Sequence, residues 1–409
     1  MILVTQKTAN GIKICPVTDF CALNQLTKRF VYPLPLIDET LDMLGGANFF
    51  TTMNCISGFW QVKVDPADQE KTGFSTLGGH YHYLRMPFGL INTPNTFAKL
   101  MNDTLARLIN QICIVYLDGI IVFSKTDEEH ISNLRLVFNR LRAANRMMKP
   151  EKCNFMLRTV NYLEYVISED GIRPDKDKIA IIKEYLARKT VKEIHQFIGL
   201  VSYYRRFIPN FSKIAQSLTE LTKKDVTFEW NEIREKAFVE LHEALCDNPV
   251  LKYPDFSLSF FEICNSSGTA MDAVLSQKIN GSDHPIFYIS QKLNKAERNY
   301  STTERECPCV FLVLKKWHYL YGCKFTVVTD HRPLRWLLQI KEPTSHLARW
   351  YLLLSEYDFE IIHKAGKANA NADVLSRIPA HLVTPPYEPV ACVGQGTDKA
   401  RARKRPENI

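Results

Sequence analysis

At 409 residues, with 45% hydrophobic and 23% charged side chains, the chain is globular in composition and long enough for two or three domains, because a single core rarely grows much past about 250 residues. Its formal charge of +8, from 52 Lys and Arg against 44 Asp and Glu, favours a nucleic-acid partner only weakly and leaves an ordinary basic soluble protein open. No run approaches the roughly 18 apolar residues of a membrane helix, and the start "MILVTQKTANG" lacks a secretory apolar region, so an intracellular, reduced setting in cytoplasm or nucleus is expected.

The eleven cysteines are scattered apart from Cys307-x-Cys309, without zinc or redox spacing, and read as buried thiols. Along the chain, "QICIVYLDGIIVFS" is a continuous β-branched and aromatic run, the pattern of a strand packed on both faces or of a tight hairpin. "LDG" falls where that hairpin turns, which places Asp118 at an exposed strand end. Next, "TDEEHISNLRLVFNRLRAANRMMKP" opens on a capping box, Thr126 with Glu129, spaces Ile131, Leu134, Phe138 and Leu141 as a helix does, and stops at Lys149-Pro150.

From about 172 to 250 the pattern is helical. "KTVKEIHQFIGLVSYYRRF" repeats the cap with Thr190 and Glu193 and carries an apolar stripe of Ile194, Phe197, Ile198 and Val201, while "EIREKAFVELHEAL" predicts a further amphipathic helix. A proline-bounded junction, "DNPVLKYPDF", leads to strand-like "LSFFEIC", "AMDAVLSQ" and "HPIFYISQ" and a helix from "YSTTERE". Strand "KFTVVTDH", a helix near "SHLARWYLLLSEY", strand "FEIIHKAG" and helix "NADVLSR" follow, an order that implies a mixed sheet with helices against it. After Pro379 the periodicity gives way to Pro, Gly and charge, so a disordered basic tail over 380–409 is expected, with "KARARKR" as a solvated end ahead of a phosphate contact or a nuclear address.

Phosphodiester chemistry on nucleic acids uses two divalent ions about 3.5–4 Å apart, held by carboxylates that converge from separate elements. Mg²⁺ prefers hard anionic oxygens, so the informative residues are aspartates at strand ends. The stretches "FFTTMNCISGFWQVKVDPADQEKTGFSTLGGHYHYLRMPFGLINTPNTFAKLMN", "YLDGIIVFS", "FIGLVSYYRRFIPNFSKIAQSLTELTKK" and "YSTTERECPCVFLVLKKWHYLYGCKFTVVTDHRPLRWLL" resemble, in order, the reverse transcriptase and ribonuclease H of Gypsy-class LTR retrotransposons. The match runs from Ile2 to about Pro379.

That resemblance implies an α+β right-hand polymerase of fingers, palm and thumb, followed by an RNase H-like mixed α/β domain. Fingers and palm are expected over 1–171, a helical thumb or connector over 172–252 and the RNase H-like domain over 253–379. The family's strand before "ILV" is absent, as are protease and integrase, so an N-terminally truncated polymerase is expected. The implied activities are RNA-directed DNA synthesis and cutting of RNA in RNA–DNA hybrids, with two Mg²⁺ ions per site. The implied partners are RNA template, DNA primer, hybrid and deoxynucleoside triphosphates; a second subunit that completes the site is left open.

Residue by residue, the resemblance places one palm aspartate in "FFTTMN" and two in "YLDG", yet Asn54 and Gly119 occupy two of those positions and only Asp118 remains. Phe59 resembles the aromatic gate against a ribose 2′-hydroxyl, and "MPFGL", with Phe88 and Gly89, the strand lining nucleotide and template. Lys13 stands near the position of a fingers cation for the triphosphate. Glu164 replaces the glycine of a primer-gripping turn and brings a negative charge toward the phosphate path.

In the second domain Glu306, Asp330 and Asp373 match metal-binding carboxylates, and Asn265 stands where a fourth belongs. Asp272, seven residues on, reads as a surface charge, and His363 as an exposed loop histidine. Pro308 inside the predicted helix removes a backbone donor, costs about 3 kcal/mol or more and is expected to displace Glu306. The expected outcome is a polymerase and ribonuclease H by descent, defective in catalysis, with a non-catalytic nucleic-acid-binding remnant or host-adopted protein as the alternative.

Overall fold

The chain opens with an antiparallel hairpin, β1 (Ile2–Thr8) and β2 (Gly11–Val17), two short helices, α1 (Cys21–Leu26) and α2 (Ile37–Asp42), and the strand β3 (Phe49–Asn54). The structure is a computed structural model and describes residues 2–8, 11–185, 190–224, 226–247, 249–317, 320–330 and 345–364. The one-turn helix α3 (Pro66–Gln69) and the hairpin β4 (Phe74–Thr76) with β5 (Gly79–Tyr81) precede α4 (Thr93–Thr104). The apolar run at 113–124 folds as the expected tight hairpin, β6 (Cys113–Tyr116) and β7 (Gly119–Ser124), followed by α5 (Asp127–Ala143) and β8 (Asn154–Leu157). These strands form an antiparallel sheet in the order β6-β7-β3-β8, so β3 runs between two neighbours.

Helix α5 starts where its sequence predicts, with the Thr126 hydroxyl accepting the Glu129 N–H at 3.3 Å, but the expected box closes on one side only, because Glu129 Oε2 accepts the Lys125 N–H at 3.0 Å instead of the N–H of Thr126. Its buried stripe differs from the expected one. Leu134, Val137 and Leu141 are buried, but Ile131 and Phe138 are 45% and 36% exposed, because His130 and Asn133 take the core-facing positions. Polar groups are tolerated there because they are paired: His130 reaches Thr51 Oγ1 at 2.8 Å through Nε2 and Ser124 Oγ at 3.0 Å through Nδ1. Those bonds lock α5 to β3 and β7, and burial lowers the histidine's pKa and keeps it neutral.

A second sheet, β9 (Thr159–Tyr162), β10 (Tyr165–Ser168) and β11 (Gly171–Pro174), runs across the expected boundary at residue 171. Ile172 and Leu251 exchange backbone hydrogen bonds of 2.9 and 3.0 Å, so the helical stretch begins only at α6 (Lys176–Lys183). Gly171 is required at that seam: it has φ +134°, and a Cβ would stand 2.2 Å from the Leu251 carbonyl oxygen. The helices α7 (Val191–Tyr203), α8 (Phe211–Ile214), α9 (Gln216–Glu220) and α10 (Glu232–Cys246) follow, α7 with the expected capping box of Thr190 and Glu193. Ile194, Phe197 and Val201 of α7 share one core with Phe50 of β3 and Ile121 of β7.

The last unit is a five-stranded mixed sheet in the order β14-β13-β12-β15-β16. Its strands are β12 (Phe260–Ser266), β13 (Ala270–Ile279), β14 (Ser282–Lys292), β15 (Phe325–Thr329) and β16 (Phe359–His363), with α11 (Thr302–Lys316) and α12 (Ser345–Leu354) as helices. Despite Pro308, α11 is continuous and carries Glu306 within its helical span. Val310, Val313 and Leu314 are fully buried beneath the sheet, and at about 1.5–3 kcal/mol each they outweigh the proline's cost. The cysteines at 55, 113, 264, 307 and 309 are buried, as expected, whereas Cys21 is exposed. The tail expected over 380–409 lies outside the described residues. Among the described residues no helix is long and apolar enough to cross a membrane.

Candidate functional site

The palm positions that the sequence singled out converge at one end of the first sheet. Asn54, the last residue of β3, is in register with Gly119, the first of β7. Between β6 and β7 the chain turns on Leu117 and Asp118 alone, with Leu117 at φ 54°, a conformation that costs a branched residue about 1–3 kcal/mol. Asp118 is exposed at this turn, and its carbonyl accepts the Cys55 N–H at 3.0 Å. The site therefore offers one carboxylate, one neutral amide and one hydrogen. A Cβ at Gly119 would meet only ordinary contacts, 3.5 Å to Tyr116 O and 3.6 Å to Tyr162 Cε2.

Phe59 packs its ring against Phe88 at 5.1 Å and Phe97 at 5.5 Å, leaving Phe88 half exposed. Gly89 takes φ +98°, and its carbonyl accepts from Asn24 Nδ2 at 2.9 Å. Lys13 lies on β2, and its side chain is outside the described residues. Glu164 and Leu163 form the two-residue turn between β9 and β10, at φ 62° and 50°, a geometry that favours Asn-Gly. Glu164 is ion-paired there: Lys178 Nζ lies 2.8 Å from its Oε1.

In the second sheet Asn265 is exposed on β12, in register with Asp272 of β13, which is itself in register with Ser290 of β14. Asp272 is not the expected surface charge: it is 8% exposed, one carboxylate oxygen has no partner, and burial raises its pKa against the hydrogen bond from Ser290 and the charge of Lys213. The cover is α8, whose Ser212 N–H donates to Ser290 Oγ at 2.7 Å. Glu306 is buried on α11, with Oε1 accepting the Ser266 N–H at 3.2 Å and Oε2 unpartnered. Burial raises the Glu306 pKa, and the Asp330 charge adds to the shift.

Asp330 follows β15 and is exposed; its carbonyl accepts from Nε2 of His363 at 3.1 Å. His363 thus ends the strand β16 rather than sitting in a loop. Asp373 lies outside the described residues. Among the described residues no three His, Cys, Asp or Glu side chains are grouped to hold a metal ion, and the palm's donor set does not fit a pair of Mg²⁺ ions.

Comparison with known proteins decides the ancestry. The family described as reverse transcriptase (RNA-dependent DNA polymerase) matches residues 7–167, and the RNase H-like domain found in reverse transcriptase matches 255–357. The chain is 43% identical over 364 residues to the retrovirus-related Pol polyprotein from transposon 297 of Drosophila melanogaster, covering 88% of this chain and 34% of that protein. It is 36% identical over 375 residues to the gypsy Pol polyprotein of the same organism, covering 88% and 36%. The chain belongs to the retrotransposon Pol family, as a reverse transcriptase and RNase H-like segment. It spans about a third of the length of these Pol relatives. The same fold occurs in the foamy viral protease-reverse transcriptase solved with double-stranded DNA, at TM-score 0.76 and 22% identity over 88% of this chain and 64% of that one.

This Pol segment also buries an acid that its sequence does not single out. Glu262 is fully buried on β12, with Oε1 accepting from Cys264 Sγ at 2.8 Å and Oε2 unpartnered. Its signal was the alternation in "FFEICNS", which puts Glu262 on the face of Phe260 and Cys264, toward α11. Burial raises its pKa well above the ordinary 4.5, so the folded state holds a proton that the unfolded chain releases above that value. Stability is then complete below about pH 4.5 and falls as pH rises, by up to about 1.36 kcal/mol per unit from this group, with Asp272 and Glu306 acting in the same direction. Glu262→Gln is expected to raise the urea midpoint at pH 8 and flatten its decline with pH; an unchanged slope would exclude a buried neutral acid.

Proposed function

We propose that this Pol segment binds primer–template and RNA–DNA hybrid, that its palm no longer polymerises, and that its RNase H-like domain retains at most residual hybrid cleavage. The observation that carries the reading is the register pair Asn54–Gly119 beside Asp118, which leaves a single carboxylate at the palm. Any Mg²⁺ in the palm would rest on Asp118; in the second domain Glu306, Asp330 and Asp373 would hold it, and the ion would supply Lewis-acid stabilisation of the phosphodiester. Binding needs none of these carboxylates, since their loss removes repulsion toward phosphates. The ligand choice follows the solved relatives, one of which was determined with an RNA/DNA hybrid at TM-score 0.71 and 20% identity.

Gel shifts with primer–template and with hybrid are expected to show salt-sensitive binding; folded protein that binds neither at low salt would sink the proposal. Asn265→Asp is expected to raise Mn²⁺-supported hybrid cleavage by roughly 10²-fold, the usual scale for restoring one electrostatic group. No gain would point instead to Glu306, held in its buried place by the Ser266 N–H.

A further inference from the structure

Beyond Asn54 the chain keeps its pairing: Cys55 bridges Met148, and the Ile56 N–H donates to the Met147 carbonyl at 3.0 Å. Residues of this continuation, with Arg85, the last turns of α5 and the segment 144–148, line a concavity of about 1460 Å³. Five cations line it, Lys63, Arg85, Arg135, Arg142 and Arg146, with no acidic residue in the lining. None of the five makes an ion pair among the described residues. Arg85 and Arg146 each donate to the Gln61 carbonyl, at 3.3 and 3.2 Å, and the buried Nε of Arg146 has no partner.

Gathering like charges in a concavity costs self-repulsion that only an anion relieves. The volume exceeds the roughly 300–1,000 Å³ of a small-molecule pocket, so the anion is extended. Trp60, 53% exposed, lies among these cations as an aromatic face to stack on, and a duplex would hide the base faces that such a platform needs. The lining includes neither Asn54, Asp118, Phe88 nor Gly89, so the basin is separate from the palm's candidate site. We propose that this basin binds a single-stranded nucleic-acid segment, with phosphates on the arginines and lysine and a base stacked on Trp60. The proposal rests on the nucleic-acid reading above and adds a second site to it.

The test is fluorescence anisotropy of the full chain with a labelled oligothymidine of about 12 nucleotides across a salt series, beside the same titration with an RNA–DNA hybrid. Arg135→Gln with Arg142→Gln is expected to reduce the slope of log affinity against log salt by about 1.4, since each phosphate contact on a single strand contributes about 0.7. Trp60→Ala is expected to weaken single-strand binding by about 5- to 100-fold, and in both variants hybrid binding stays within about twofold of the parent. Variants that unfold at the parent's urea midpoint yet keep parental single-strand affinity and slope would overturn the proposal. So would equal losses for single strand and hybrid, or displacement of the oligonucleotide by polyglutamate at equal charge, which would assign the basin to acidic protein. Failure of the basin alone leaves primer–template and hybrid binding standing, whereas a parent that binds no nucleic acid removes both.

Discussion

Primer extension by the unmodified chain, with Mg²⁺ or Mn²⁺, is expected to stay at the assay background, and Asn54→Asp combined with Gly119→Asp to raise it by at least about 10²–10³-fold. The argument is electrostatic. Two cations and a triphosphate need convergent negative charge, and the turn after β6 supplies only Asp118. Neither single change is expected to suffice, because each leaves one ion without a shared carboxylate. The backbone does not stand in the way: Asn54 and Gly119 already face each other across the ladder, and a Cβ at Gly119 has 3.5 Å of clearance. Processive synthesis by the unmodified chain would refute the reading of the palm outright. Failure of the double variant, once folded, would shift attention to Leu117, whose φ of 54° sets the turn that aims Asp118.

Arg206→Ala is expected to destabilise the chain by about 3–5 kcal/mol, the cost of breaking a buried ion pair by removing one member, read as a drop in the urea midpoint by circular dichroism. Arg206 is 2% exposed, and its guanidinium lies 3.0 Å from Asp38 Oδ1 and 3.4 Å from Asp42 Oδ1, both on α2. The same group stands 4.9 Å from the centre of the Phe287 ring on β14, while Lys316 of α11 reaches Asp38 Oδ2 at 2.7 Å. Arg206, three residues past the end of α7, together with its neighbours thus fastens the polymerase half to the RNase H-like sheet. Arg206→Ala with Asp42→Asn is expected to recover part of the loss, because the buried charge that faced the guanidinium is removed with it. A single-variant cost below about 1 kcal/mol would place the pair with surface ion pairs instead.

The hairpin around Asp118, the capped starts of α5 and α7 and the succession of strands and helices from 260 to 363 are legible because each is written locally, in alternation, caps and turns. The stripe of α5 was not, since apolar spacing alone favoured Ile131 and Phe138 over a histidine whose partners, Thr51 and Ser124, come from other strands. The burial of Asp272 is illegible for the same reason: its cover is α8, remote in sequence. The burial of Glu262 is not legible either, because an isolated charge in a strand reads as solvent-facing until the sheet's core side is known.

By itself, then, the sequence determined the ancestry and the missing charges, because the identity of a side chain at a motif position is a local fact: Asn54, Gly119 and Asn265 lack carboxylates in any fold. Only the tertiary structure decided which groups share a neighbourhood, from the Asn54–Gly119 register to the Arg206 clamp and the five gathered cations beside Trp60. Register, burial and charge proximity depend on chain segments tens to hundreds of residues apart, and no local pattern encodes those distances.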